Sequence, residues 1–84
     1  MKWCLITFRS VTPAQRAEKL LMDKRVQCTL QRTPRWMQEQ GCGYSLRLAA
    51  GSVVQAVALM EQGKLAYRKV YCAGAQGKWE EMEL

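Results

Sequence analysis

Two short signatures, Thr12-Pro13-Ala14-Gln15 and Ser52-Val53-Val54-Gln55, constrain this chain more than any other feature. Each puts a hydroxyl residue three positions before a glutamine, an arrangement in which the two side chains reciprocally satisfy orphan N–H groups at a helix start. Pro13 falls at the first helical position, where a missing N–H costs nothing. Behind it, Ala14, Ala17, Leu20, Leu21 and Lys24 recur at helical spacing and predict a helix over 13–24, Lys24 contributing its aliphatic stem. Behind the second signature, Val53, Ala56, Val57 and Met60 share one face, and Gly63 stands where a helix commonly stops.

The intervening runs follow strand patterns. "KWCLITF" is apolar on both faces, as a central strand is, while "VQCTLQ" alternates, with Val26, Cys28 and Leu30 on its apolar side. "YSLRL" alternates again, and "LAYRKVYC" is rich in β-branched and aromatic residues. The order is strand, helix, strand, strand, helix, strand. The expected fold class is therefore α+β: a ferredoxin-like βαββαβ sandwich whose four-stranded antiparallel sheet carries two helices on one face and offers the other to a partner. With 84 residues the chain makes one domain, expected over 1–72. The remainder, "AGAQGKWEEMEL", reads as a flexible acidic tail over 73–84, with at most a helical turn from Trp79 on.

An apolar fraction of 49% against 24% charged residues predicts a folded chain rather than a disordered one. No run approaches the roughly 18 apolar residues of a bilayer span. Arg9 follows "MKWCLITF" where an export signal would place a small-residue cleavage site, so a cytoplasmic protein is expected. The four cysteines, Cys4, Cys28, Cys42 and Cys72, contain no Cys-x-x-Cys pair, and the chain has no histidine. Neither a metal site nor a disulfide framework is expected from that spacing, and reduced thiols are. Cys4 and Cys28 fall in strands, where a free cysteine behaves as a small buried hydrophobe. The net charge of +6 understates the basic bias, because Glu80, Glu81 and Glu83 crowd the C-terminus; a basic surface attracts nucleic acid, acidic proteins or small anions without choosing among them.

Chemistry concentrates in "PRWMQEQGCGYSLR", residues 34–47. Gly41 and Gly43 flank Cys42 and allow the backbone close to a ligand, while Arg35 and Arg47 bracket the triplet. Cations and exposed backbone N–H groups favour thiolate over thiol, so these four residues are the candidates for stabilising an ionised Cys42. Pro34 and Trp36, in the loop before it, are candidates for docking a partner. A hydrolytic cysteine enzyme needs a base beside the thiol, and this chain lacks the usual one; an acidic cluster for a divalent cation and a Gly-rich phosphate loop are also absent from the sequence. A carrier or accessory protein fits better than a self-sufficient enzyme.

"LITFRS" leading into "AEKLL", then "TPR" and "CGYSLR", resembles the selenium/sulfur (Se/S) carrier protein-like family of small bacterial domains. The matching positions are Thr7, Phe8, Ser10, Glu18, Lys19, Pro34, Arg35, Cys42, Gly43, Leu46 and Arg47, and the resemblance runs from residue 4 to about 72. Gly41 stands where the family usually has serine, and Ser45 where it usually has alanine. The resemblance implies a carrier that accepts and relays a sulfane sulfur or selenium atom on Cys42. It implies a transient persulfide or selenopersulfide in place of a resident cofactor. It further implies a cysteine desulfurase-like donor and an acceptor enzyme as partners. Two other readings stand beside it: a non-catalytic interaction or regulatory module of the same fold, and, less favoured, an RNA-binding module whose platform would be Trp3, Tyr67 and Tyr71.

Overall fold

The computed structural model describes residues 3–35, 43–73 and 78–82. Its elements run β1 (Trp3–Phe8), α1 (Val11–Asp23), β2 (Thr29–Arg32), β3 (Tyr44–Ala49), α2 (Val53–Gln62), β4 (Val70–Ala73) and β5 (Trp79–Met82), with a 3₁₀ turn at Ala50–Ser52 leading into α2. The strands form one sheet in the order β2-β3-β1-β4-β5, every neighbouring pair antiparallel. The described residues thus form a small α+β body of two helices on a five-stranded antiparallel sheet.

The fifth strand corrects the expectation of four. Trp79–Met82 pairs with β4 in the register Val70↔Met82, Tyr71↔Glu81, Cys72↔Glu80 and Ala73↔Trp79. Its acidic residues suit that place: Glu81 reaches the Lys69 ammonium at 3.3 Å. Cationic residues ahead of β4 attract the acidic C-terminal segment, and pairing supplies its backbone groups with partners that a solvated tail would take from water.

Register explains the core. Opposed residues share a face, and Cys4, Ile6 and Phe8 of β1 meet Leu48, Leu46 and Tyr44 of β3, with Val70 beyond Ile6 on β4. This face buries Ala14, Ala17 and Leu21 of α1 and Val53, Ala56, Val57 and Met60 of α2 in a single cluster. The helical faces read from the sequence are largely these; Lys24, counted with them, is exposed and caps α1 instead.

The opposite face is less open than expected. Leu5, Thr7 and Ser45 lie on it, yet they are 1%, 5% and 0% exposed. Arg47 and Tyr71 flank Leu5 in register, and Arg47 lies over the Trp3 ring with its guanidinium carbon 5.1 Å from the centroid. Long amphipathic side chains cover the apolar centre with their stems.

Helix ends also differ from expectation. Helix α1 begins at Val11 with Ser10 as N-cap, so Thr12 and Pro13 occupy its first turn rather than its cap. Pro13 fits there because the first turn's N–H groups have no intrahelical acceptor. Neither N-cap, Ser10 or Ser52, makes a side-chain capping bond, so neither predicted capping box forms. Both helices close alike: Arg25 N–H donates to Met22 C=O and Val26 N–H to Leu21 C=O after α1; Lys64 N–H donates to Glu61 C=O and Leu65 N–H to Met60 C=O after α2. These are Schellman motifs, and their left-handed residues are Arg25 (φ 62°) and Lys64 (φ 57°), not Gly63.

Candidate functional site

The site is a base, built where β1 ends and β3 begins, from which the segment carrying Cys42 departs. Thr33 and Gly43 stand at the two ends of that segment, and the Thr33 N–H donates to the Gly43 carbonyl at 3.0 Å. Thr33 is 4% exposed, and its Oγ1 lies 3.1 Å from the Oγ of Ser45, which is fully buried. Gly43 is close-packed: a Cβ added there would sit 3.3 Å from the Phe8 carbonyl oxygen and 3.4 Å from Thr33 Oγ1. A side chain here would press on the Phe8 backbone carbonyl, which a glycine avoids. Cys42, Gly41 and Trp36 lie outside the described residues.

The other proposed members of the site separate. Pro34 is half-buried beside Thr33, and Arg35 follows it, exposed. Arg47 lies farther along β3, opposite Leu5 of β1 and Thr29 of β2, with its cation on the Trp3 ring. At the Gly43 end of the sheet the structure instead brings Arg32 over the Tyr44 ring at 5.8 Å, with Arg9 directly following Phe8. Sequence reasoning missed Thr33 and the pairing role of Ser45. The available signal was Ser45 itself, a hydroxyl on a strand where the family pattern has alanine.

The cysteines sort themselves by environment. Cys4 of β1 and Cys72 of β4 face each other across the sheet and form a disulfide, with Cα atoms 4.0 Å apart. This corrects the expectation of reduced thiols throughout: the bridge joins positions 68 residues apart that strand pairing alone makes adjacent. Cys28 is a free, half-buried thiol packed against the core. Burial pushes its pKa up, and the negative charge of Glu18 adds to the rise. Both effects disfavour thiolate, the reactive form. Among the described residues no group of His, Cys, Asp or Glu could hold a metal ion. No helix among them is long and apolar enough to cross a membrane.

The three aromatics offered as a nucleic-acid platform do not share a surface. Trp3 and Tyr71 lie on the Leu5 face of the sheet, whereas Tyr67 packs against the helix-covered core.

The model of one family, described as "Putative Se/S carrier protein-like", matches residues 3–72. The chain belongs to this family. The match covers β1 through β4 with both helices, and ends at the cysteine that closes the disulfide, so β5 lies beyond it. The family name points to selenium or sulfur carriage as the function. The chain matches no curated protein and no solved structure.

Proposed function

We propose that this Se/S carrier-like protein accepts a sulfane sulfur or selenium atom on the thiolate of Cys42 and hands it to a second protein. The supporting observation is the fate of the other three cysteines. Cys4 and Cys72 are spent in a disulfide, and Cys28 is half-buried in surroundings that keep it protonated. Cys42 is what remains, one residue from the close-packed Gly43.

In the proposed transfer the Cys42 thiolate attacks the outer sulfur of a donor persulfide. A new S–S bond forms on Cys42 as the donor's own S–S bond breaks, and the donor cysteine leaves as thiolate with the electron pair. A selenium atom held the same way moves by the same exchange. No external oxidant or reductant enters, because the transferred atom keeps its oxidation state. Arg35 and the Gly41 and Gly43 amides are the proposed stabilisers of the thiolate, Arg47 being engaged with Trp3 farther along β3, and Pro34 and Trp36 the proposed contacts for a cysteine desulfurase-like donor and an acceptor enzyme. We assign the scaffold to the ferredoxin-like class, a split βαβ sandwich extended by β5 at one edge.

The test is intact-mass measurement after incubation with a cysteine desulfurase and cysteine. The wild type is expected to gain the mass of one sulfur, Cys42→Ser none, and Cys28→Ser the same as wild type. Equal loading of Cys42→Ser would overturn the assignment.

A further inference from the structure

We propose that a second site, separate from the thiol, binds a small phosphate-class oxyanion in a cavity of about 260 Å³ between the start of α1 and the segment joining α2 to β4. Four cations line it: Arg9, Arg16, Lys64 and Arg68. They come from four places in the sequence, after β1, within α1, after α2 and before β4, and the fold gathers them. Among the described residues no carboxylate lines the cavity.

Several features fix this arrangement. The Schellman motif holds Lys64 at φ 57°. The Arg68 N–H donates to the Thr7 carbonyl at 2.8 Å, which anchors that arginine's backbone to the end of β1. Thr12 and Tyr67 add hydroxyls to the wall, and Pro13, Leu65 and Ala66 add apolar surface that lowers the local dielectric. Arg9, Arg16 and Lys64, gathered at one cavity, repel one another, and a multiply charged anion turns that repulsion into attraction. Guanidinium groups match the geometry of phosphate oxygens with paired N–H donors. The first turn of α1, whose N-cap makes no side-chain bond, adds the positive end of a helix. A cavity this size falls under the roughly 300 Å³ at which drug-sized ligand sites begin, so the ligand is small: inorganic phosphate or a compact phosphomonoester.

The experiment is a titration of the reduced and the disulfide-bonded full chain with inorganic phosphate, and in parallel with glycerol phosphate, followed by amide chemical shifts at constant ionic strength. Saturable shifts confined to residues 9–16 and 64–68 are expected. The tighter of the two ligands then identifies the source of the phosphoryl group. Arg16→Gln and Arg9→Gln, both at exposed positions, should each weaken binding about tenfold, the scale of one charge-assisted contact. Lys78→Gln, which removes an exposed cation that does not line the cavity, should leave it unchanged. Equal weakening by Lys78→Gln, or shifts spread over the whole basic surface, would sink the proposal. So would tight binding of a 5′-hydroxyl oligonucleotide that phosphate does not displace. Cys42→Ser should bind phosphate as the wild type does, so this site and the thiol assignment stand or fall separately.

Discussion

Thr33 and Ser45 hold their hydroxyls 3.1 Å apart in a buried seam, and the Thr33 N–H bonds the Gly43 carbonyl two residues before Ser45. One threonine therefore ties together both ends of the segment that carries Cys42. Ser45→Ala should cost about 1 kcal/mol, the net worth of a buried neutral hydrogen bond. A double-mutant cycle with Thr33→Val, read by urea denaturation, should return a coupling energy of that size. Strict additivity would show that the two hydroxyls do not interact.

The Cys4–Cys72 bridge closes nearly the whole chain into a loop. Constraining so long a loop in the unfolded state is worth about 4 kcal/mol on the chain-entropy account. Reduction, or the paired change Cys4→Ala with Cys72→Ala, should lower the denaturation midpoint accordingly, and the wild type should show no such loss without reductant. Thiol counting in denaturant before and after reduction checks the premise: two reactive thiols should become four.

The alkylation rate of Cys28 should rise at higher pH than that of an unperturbed thiol, because burial first and Glu18 second hold its proton on. Glu18→Gln should shift its rate profile partway back and no further, since the larger cause remains. The sign for stability follows. A thiol with a raised folded-state pKa contributes fully below its unfolded pKa and loses that contribution as pH climbs through the raised value. Stability should therefore decline on the alkaline side, and Cys28→Ala should flatten that decline. A bell centred near neutral pH would contradict the assignment.

Arg25 and Lys64 each occupy a left-handed backbone position that strains an L-residue by about 1–2 kcal/mol. Arg25→Gly and Lys64→Gly should each raise stability by about 1 kcal/mol, part of the relief being offset by glycine's freedom in the unfolded chain. Lys64→Gly should also weaken phosphate binding, whereas Arg25→Gly should not. The pair thus separates backbone strain from charge in one set of denaturation and titration curves.

Much of the architecture was legible in one dimension. Apolar spacing at Ala14, Ala17 and Leu21, and at Val53, Ala56, Val57 and Met60, marked the helical faces that the core buries. Alternation marked Leu30, Leu46 and Leu48 as inward. Those patterns survive because side-chain direction follows the local period of the backbone. The capping signatures misled for an equally local reason: Ser10 competes with Thr12 for the same role, and Ala50–Ser52 coils into a 3₁₀ turn ahead of α2. The segment Trp79–Met82 gave little strand signal because its pairing depends on Lys69 and β4, not on its own short, charged sequence.

By itself, then, the amino-acid order determined the order of the two helices and the first four strands, which helical faces are apolar, and which family the chain belongs to. Tertiary structure alone decided that Cys4 meets Cys72, that Thr33 meets Ser45, and that Arg9, Arg16, Lys64 and Arg68 surround one cavity. Periodicity is a property of neighbours in the chain. Strand register and the gathering of like charges depend on partners tens of residues away, so they exist only once the sheet has closed.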